Sequence, residues 1–306
     1  MTSASLPAAA GRSRLRVERS APKLAAVARP YELGFRLHAL LGHGGAASVY
    51  KASCLATGEV VALKVFRPDE HAPEGTVARL AARELRATRA AASPYTVRAL
   101  HCALHDGAPA LAFEYVDGAP LGELLAKGPL PPAGAVAIVL SLLAALHAAH
   151  RAGVVHRDVK PDNVMTFATD AGLRSKLVDF GIAKLPPALE QARGGGRLRS
   201  GLGTPLYMAP EQVHGFATVT PRADLFSAGA VLFHARSGQA PLAAVPRTRL
   251  LVQLGAEDAP DVRTFAPHVT PSLARIVARA LARRPEDRYA SARAMAAELL
   301  RLRLRA

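Results

Sequence analysis

The chain of 306 residues is strongly basic, because 39 Lys and Arg residues face 24 Asp and Glu residues and leave a formal net charge of +15. Half of its residues are hydrophobic and only 5% are aromatic, so a buried core is expected to consist mostly of Ala, Leu and Val. Two cysteines, Cys54 and Cys102, exclude a disulfide framework, and we interpret both as small core residues in a reducing, cytoplasmic compartment.

The first 30 residues are rich in Ala, Ser, Arg and Pro without a sustained period, which predicts a disordered basic leader. The basic charge alone would fit nucleic acid or an anionic membrane. Most arginines are scattered among predicted helices, however, and the sequence has neither zinc spacing nor an aromatic-interleaved basic patch, so a nucleic-acid partner is not expected. The apolar stretch 136–149 is short and contains Ser141 and His147, so no membrane span is predicted.

Residues 36–66 alternate apolar and polar side chains in three short runs, which predicts an antiparallel meander. Its strands are expected at residues 37–41, 48–53 and 60–66. The first turn, residues 42–49, has the sequence GHGGAASV. Glycines in such a turn let the backbone approach a triphosphate and donate N–H groups to it, although an ordinary hairpin turn has the same composition.

Residues 76–91 are good helix formers, and a Ser-Pro pair ends the predicted helix. Glu84 is the acid inside this helix. From the residues alone it is either a solvated carboxylate paired with arginines one turn away or a member of a site. Residues 97–104 and 108–115 predict two further strands.

After residue 118 the apolar positions recur at three- and four-residue intervals, which predicts a helical region. The predicted helices are residues 121–127, 133–151, 225–236, 273–283 and 292–304. Two short strands are expected at 164–165 and 176–178. A Pro-, Gly- and Arg-rich stretch, residues 185–202, predicts a mobile loop.

The stretch GVVHRDVKPDN, residues 153–163, contains three chemically different polar groups at close spacing. Asp158, Lys160 and Asn163 are two and three residues apart. A carboxylate, an ammonium and an amide this close can take a proton, hold a phosphate and hold a metal. A second carboxylate, Asp179, follows Asn163 by sixteen residues and begins the sequence DFG.

Residues 153–163 resemble the catalytic loop of protein kinases, H-R-D-L-x-x-x-N, with Val159 in the Leu position. Residues 179–181 resemble the kinase D-F-G, and the spacing between the two motifs argues against coincidence. Residues 61–64 resemble the kinase V-A-I-K, and residues 203–211 resemble the end of an activation segment with A-P-E intact.

Together these motifs most resemble bacterial Hanks-type serine/threonine protein kinases, over about residues 35–300. The resemblance implies an α+β fold, bilobal and protein-kinase-like. Residues 31–117 would form the N-lobe, with a five-stranded antiparallel sheet and helix C. Residues 118–306 would form the mainly α-helical C-lobe.

The resemblance also implies catalytic roles for four residues. Asp158 would orient and deprotonate the acceptor hydroxyl, and Lys160 would neutralise the γ-phosphate as it moves. Lys64 would hold the α- and β-phosphates, and Glu84 would be the helix-C glutamate that pairs with Lys64.

Two cofactors are implied, ATP and Mg²⁺. Asn163 and Asp179 would hold two Mg²⁺, which prefers oxygen ligands. Phe113 would be a bulky gatekeeper behind the adenine. The residues expected to contact ATP, besides Lys64, are Leu41, Gly42, His43, Gly44, Gly45, Ala46, Ala47, Ser48, Val49, Ala62, Glu114 and Val116.

Two positions depart from the family pattern. Ala47 stands where a third glycine is usual, and Thr88, one turn after the helix-C glutamate, stands where an apolar residue is usual.

Other positions follow the family pattern. Glu211 is expected to pair with Arg288 and fix the larger lobe, and Asp224 is expected to anchor the catalytic loop through its backbone.

Lys160 and Thr204 imply that the acceptors are Ser or Thr hydroxyls of proteins. Arg157, beside the catalytic aspartate, implies that an activation-loop phosphate is bound, with Ser200 and Thr204 as candidate sites. The alternatives are that Ser200 is unmodified and that Thr204 only hydrogen-bonds Asp158 and Lys160. Autophosphorylation would bring two copies of the chain together as a homodimer.

Three other functions fit parts of the sequence. A pseudokinase would bind ATP without phosphotransfer, but Lys64, Asp158 and Asp179 are all present, and only Ala47 and Thr88 support it. A small-molecule phosphotransferase of related fold generally lacks the A-P-E and its Arg partner. A nucleic-acid-binding module is supported by charge alone.

Overall fold

A computed structural model describes residues 34–44, 46–67, 73, 75–170, 172–180, 205–214, 219–243 and 245–302. Several predictions lie outside these residues, namely those for the leader, for residues 185–202, and for Gly45, Gly181, Ser200 and Thr204.

The chain divides into two units, and the division passes through helix α1, Thr76–Ala90. The first unit comprises Met1–Ala82 and Leu100–Tyr115, and the second comprises Arg83–Ala99 and Val116–Ala306.

The first unit contains the predicted five-stranded sheet, and its strand order is β1-β2-β3-β5-β4. The strands are β1 (Phe35–His43), β2 (Ala47–Cys54), β3 (Val60–Phe66), β4 (Ala99–His105) and β5 (Ala108–Glu114). The β1–β2, β2–β3 and β3–β5 pairs are all antiparallel. The β1–β2 register shifts twice, and irregularities of this kind bend a strand locally.

Small side chains fill the core of the first unit, as the composition predicts. In β3, Val61 and Leu63 are fully buried while Val60 is 41% exposed, so alternate residues face the core. The same core contains Ala52, Cys54, Ala103, Ala110 and Ala112. The prediction that Cys54 and Cys102 are buried is also confirmed.

The second unit is mainly helical. Its helices after α1 are α2 (Leu121–Leu125), α3 (Pro132–Arg151), α4 (Pro221–Ser237), α5 (Arg247–Ala256), α6 (Val262–Phe265), α7 (Pro271–Ala280) and α8 (Ala292–Leu300). A three-stranded sheet of order β6-β7-β8 consists of β6 (Ala119–Pro120), β7 (Val164–Thr169) and β8 (Gly172–Leu177).

Helix α3 is a core helix that delivers the chain to the candidate site. Pro132 occupies its first turn, where the missing N–H costs nothing. Gly153, at φ 72°, ends the helix, and the N–H of Val154 donates to the Ala149 carbonyl at 2.9 Å.

By length and hydropathy α3 alone, within the described residues, could also cross a membrane. More than half of its apolar window is buried within the structure, however, as in the core helix of a folded unit.

Helix α4 is buried on nearly all sides, so it holds the functional elements that pack on it in fixed positions. Close approach is possible because Gly229 lacks a side chain: a Cβ there would lie 2.6 Å from the Cβ of Ala280 on α7. The same helix carries one buried acid, Asp224, which is 1% exposed.

The structure corrects several element boundaries. The β7–β8 hairpin is much longer than the two short strands expected, and α5 and α6 were not predicted, because neither has a long apolar period. Helix α4 begins at Pro221 instead of residue 225, since proline is tolerated in the first turn.

We expect Gly118→Ala to lower the free energy of unfolding by about 1–3 kcal/mol, because overpacking forces the backbone to shift. A Cβ at this position would clash with the backbone carbonyl oxygen of Thr166, where β6 pairs with β7. Gly134→Ala is the matched control, since a Cβ there meets no described atom within 4 Å. Urea unfolding of both variants tests this; equal midpoints would contradict it.

Candidate active site

Asp224 ties the loop of residues 153–163 to helix α4 through the loop backbone. Its Oδ2 accepts from the N–H of His156 at 2.9 Å, and its Oδ1 accepts from the N–H of Arg157 at 2.8 Å. The Nε2 of His150, on α3, donates to Oδ2 at 2.8 Å. Three donors therefore satisfy the buried Asp224 carboxylate. Two of them are backbone N–H groups, so the carboxylate fixes the backbone at His156 and Arg157.

His156 links this loop to the strand that precedes Asp179. Its Nε2 lies 3.1 Å from the carbonyl oxygen of Val178, which can only accept, so Nε2 carries the hydrogen. Its Nδ1 then accepts from the N–H of Asp158 at 3.3 Å. The neutral ring is fully buried and its centroid lies 5.0 Å from that of the equally buried Phe180. The two motifs are thus held together by one imidazole.

The structure brings Asp158, Lys160 and Asn163 together. The Nζ of Lys160 lies 3.0 Å from Asp158 Oδ2. The Nδ2 of Asn163 donates to the same Oδ2 at 3.1 Å and to the Asp158 carbonyl at 2.7 Å. The carboxylate is therefore held in one orientation by a cation and an amide. It keeps 21% of its side chain exposed, so it remains accessible to solvent.

The backbone immediately before Asp179 is hydrogen-bonded to this cluster. The N–H of Val178 donates to the Asn163 carbonyl at 3.0 Å, which places the D-F-G start beside the loop. Asp179 has φ 56° and Arg157 has φ 66°. Left-handed backbone at non-glycine residues costs about 1–3 kcal/mol and persists where surrounding contacts hold it, often at functional sites.

In the first unit, a backbone hydrogen bond and a series of side-chain hydrogen bonds hold the glycine-rich turn. Gly44 N donates to the Ala47 carbonyl at 3.0 Å. Arg67 Nη1 lies 3.1 Å from His43 Nε2, and His43 Nδ1 lies 3.0 Å from Ser48 Oγ. Since Arg67 only donates, His43 must accept at Nε2 and donate to Ser48. Ala47 has no positive φ in the described backbone, so it fits the turn without strain.

The predicted nucleotide-contact residues of the strands keep regular pairing. Lys64 on β3 is opposite Val49 on β2 and Leu111 on β5. Ala62 is opposite Phe113, which is 8% exposed, and Glu114 ends β5. The gatekeeper role of Phe113 stays a prediction. Val116 belongs to the second unit, so its role together with these residues stays a prediction.

Glu84 is buried on helix α1, with 1% exposure, which excludes the solvated carboxylate considered from the sequence. Thr88, 2% exposed, donates its hydroxyl to the Glu84 carbonyl at 2.9 Å. The unusual threonine therefore satisfies its polar group inside the helix. Glu84 lies in the second unit and Lys64 in the first, so their pairing stays a prediction.

The expected Glu211–Arg288 pair is present. Two parallel bonds of 2.8 Å join the guanidinium of Arg288 to both carboxylate oxygens of Glu211. The Arg288 side chain is fully buried, and its other donors are taken by the carbonyls of Ala282, Arg222 and Arg283. A bidentate, fully satisfied pair of this kind fixes the A-P-E segment on the helical unit.

Residues 35–300 match the family described as Protein kinase domain. The chain belongs to the protein kinase family. The kinase resemblance drawn from the motifs is thereby confirmed.

Several relatives of the chain are bacterial serine/threonine-protein kinases. Serine/threonine-protein kinase pkn3 of Myxococcus xanthus is 36% identical over 87% of this chain and 49% of that protein. Pkn2 of the same organism is 35% identical over 79% of this chain and 28% of that protein. PknD of Mycobacterium tuberculosis is 36% identical over 84% of this chain and 38% of that protein. The chain thus spans at most about half the length of these relatives.

A solved kinase domain has the same fold. The kinase domain of PknI from Mycobacterium tuberculosis matches with a TM-score of 0.63 and 27% identity, over 87% of this chain and 94% of that chain. The predicted α+β, protein-kinase-like fold class is therefore confirmed.

The donor set of this site fits Mg²⁺. Asn163 uses its amide nitrogen for both bonds to Asp158, so its amide oxygen takes no part in them. That oxygen and the carboxylate of Asp179 are hard ligands of the kind Mg²⁺ prefers, with phosphate oxygens and waters completing the shell. Among the described residues no cluster of three His, Cys, Asp or Glu exists, so an all-protein metal cage is not present there.

Sequence reasoning assigned no role to two residues of the candidate site. His150 donates to Asp224 across 74 positions, and Gln212 donates its amide to the Arg157 carbonyl across 55 positions. The only signal for Gln212 was its place directly after the A-P-E motif, and the only signal for His150 was its place at the end of an apolar helix.

Proposed function

We propose that the chain is a serine/threonine protein kinase that transfers the γ-phosphate of ATP to Ser and Thr hydroxyls of proteins. The observation that carries the proposal is the Asp158 carboxylate, held by Lys160 at 3.0 Å and Asn163 at 3.1 Å while still partly exposed. The names of the relatives, serine/threonine-protein kinases, support the same conclusion.

Phosphoryl transfer asks the protein mainly for positioning and for charge neutralisation. Asp158 orients the acceptor hydroxyl and takes its proton. Lys160, already beside that carboxylate, meets the phosphoryl oxygens as they approach the hydroxyl. Lys64 would hold the α- and β-phosphates, and the glycines of the turn at 42–49 would let the backbone approach them. Mg²⁺, bound by Asn163 and Asp179, would neutralise phosphate charge.

The pseudokinase alternative is less well supported. Its two sequence arguments were Ala47 and Thr88, and neither residue is strained or unsatisfied.

A reducing, cytoplasmic compartment fits the burial of Cys54 and Cys102.

The function is tested by incubating the purified chain with radiolabelled ATP, Mg²⁺ and casein as acceptor. We expect label on phosphoserine and phosphothreonine and none on phosphotyrosine. Transfer to tyrosine would overturn the acceptor class. Binding of ATP without label on casein or on the chain itself would favour the pseudokinase.

We also propose that the kinase is controlled by autophosphorylation in its activation segment. Arg157, Arg83 and Arg86 lie close enough that burial, followed by the charges of the other two, lowers the pKa of Arg83. The Nε–H of Arg157 is buried and donates to no hydrogen-bond partner among the described residues. Three neighbouring cations, one of which has an unsatisfied guanidinium N–H, suit a dianionic phosphate.

Arg157→Ala is therefore expected to abolish the stimulation that follows autophosphorylation. Wild-type kinase treated with phosphatase and then preincubated with ATP should gain roughly tenfold or more in rate, as one Arg–phosphate interaction of about 1.5–3 kcal/mol allows. The variant should gain phosphate at Ser200 or Thr204 without gaining rate. Mass spectrometry and initial rates measure both; equal stimulation in the variant would contradict the role of Arg157.

Autophosphorylation between two copies predicts a rate per molecule that rises with kinase concentration. A rate per molecule independent of dilution would instead indicate transfer within one chain, and would remove the reason for expecting a homodimer.

A further inference from the structure

Gln212 follows the A-P-E motif directly and lies in the short 3-10 turn Pro210–His214. Its side chain is buried, with 4% exposure, although glutamine is usually found at the surface. A buried amide must have partners for both its donor and its acceptor, because an unsatisfied polar group costs about 1–3 kcal/mol.

Both ends of the amide are used, and they reach two different functional segments. The Oε1 accepts from the N–H of Ala209, in the A-P-E segment, at 3.0 Å. The Nε2 donates to the carbonyl of Arg157, in the catalytic loop, at 2.9 Å. One side chain therefore joins the end of the activation segment to the residue that precedes Asp158.

The Arg157 carbonyl belongs to the peptide group that carries Asp158. That peptide is held at both polar atoms, because its oxygen accepts from Gln212 and its N–H, from Asp158, donates to His156 Nδ1 at 3.3 Å. The preceding N–H, from Arg157, is held by Asp224. At φ 66° Arg157 is in a conformation that relaxes unless neighbouring contacts keep it in place.

We propose that Gln212 is a positioning residue for phosphoryl transfer, which orients the Arg157–Asp158 peptide and couples the A-P-E segment to the catalytic aspartate. The inference rests on the proposed kinase function. Gln212 acts through Asp158, so its loss displaces the base without removing it. The effect is therefore expected in kcat, with KM for ATP nearly unchanged.

The amide can be replaced by side chains of similar size that keep different parts of its hydrogen bonding. Gln212→Met keeps the volume and loses both bonds. We expect kcat to fall by about 10- to 100-fold, since small displacements of a reacting group have effects of this size. Gln253→Met is the matched control: Gln253, on α5, bonds only Glu257 among the described residues and should leave kcat unchanged.

Gln212→Glu is expected to make kcat depend on pH in a way that a purely structural role of Gln212 would not produce. An ionised glutamate can accept from Ala209 but repels the Arg157 carbonyl, whereas a protonated glutamate can donate to that carbonyl again. Burial favours the neutral acid, so its pKa should be raised towards the assay range. The ratio of variant to wild-type kcat is therefore expected to rise as the pH falls from 8 to 6.

A pH-independent ratio for Gln212→Glu, or full kcat in Gln212→Met, would overturn the proposal. If Gln212→Met does not fold, as circular dichroism would show, the pH ratio of the glutamate variant decides alone. Amide hydrogen exchange of residues 156–158 separates this proposal from the kinase function. Faster exchange in the variants supports the coupling even if the wild type transfers no phosphate, and unchanged exchange contradicts it.

Discussion

Asp158→Asn is expected to lower kcat for phosphoryl transfer by about 100- to 10,000-fold, the range for loss of a general base. Asparagine has the same shape but cannot take the proton of the acceptor hydroxyl. It also removes the negative charge that holds Lys160 at 3.0 Å, so the ammonium loses its fixed position. The fold should be unaffected, because the side chain is partly exposed and Asn163 can still donate to the carbonyl of residue 158.

The measurement is the initial rate with radiolabelled ATP, together with ATP affinity from a fluorescent analogue. Affinity should stay close to that of the wild type, because the proposed ATP contacts do not include Asp158. Asp170→Asn is the matched control, since Asp170 is an exposed acid in the turn between β7 and β8. A rate for Asp158→Asn above about one tenth of wild type would remove Asp158 from the role of base.

Arg288→Met is expected to lower the free energy of unfolding by about 3–5 kcal/mol, because it leaves the Glu211 carboxylate without its cation in a mostly buried position. Methionine fills part of the volume but replaces none of the bonds to Glu211 or to the three carbonyls. The contact of the guanidinium with the ring of Phe226, 5.0 Å to its centroid, is lost as well.

Thermal unfolding followed by circular dichroism measures this effect, and the midpoint should fall by roughly 10 °C. Arg284→Met is the control, since Arg284 is exposed and bonds Glu286 at the surface, where ion pairs add little. Identical melting of Arg288→Met and the control would show that the Glu211 pair does not fix the A-P-E segment.

The local parts of the candidate site could be predicted from the sequence. Asp158, Lys160 and Asn163 fall within six positions, so the chain itself keeps them close whatever surrounds them. The strand β3 was placed at its observed limits, because burial on one face of a sheet leaves a period of two in the residues. Helices α5 and α6 left no comparable period and were missed.

Contacts between distant positions could not be predicted in the same way. Glu211 and Arg288 are 77 positions apart, and only the family resemblance linked them. Gln212 contacts Arg157 without any pattern in the residues between them. The same holds for the tautomer of His156, which follows from the Val178 carbonyl that the fold places beside its Nε2.

The sequence by itself determined the chemistry of this protein: the acid, the ammonium and the amide of the catalytic loop, and the small-residue core that supports it. The tertiary structure decided the orientation of those groups. Asp224, Gln212 and His156 hold backbone atoms of the loop in a left-handed conformation that no local preference favours. Such a conformation persists only when partners from distant segments satisfy each polar atom, and those partners meet only in the folded chain.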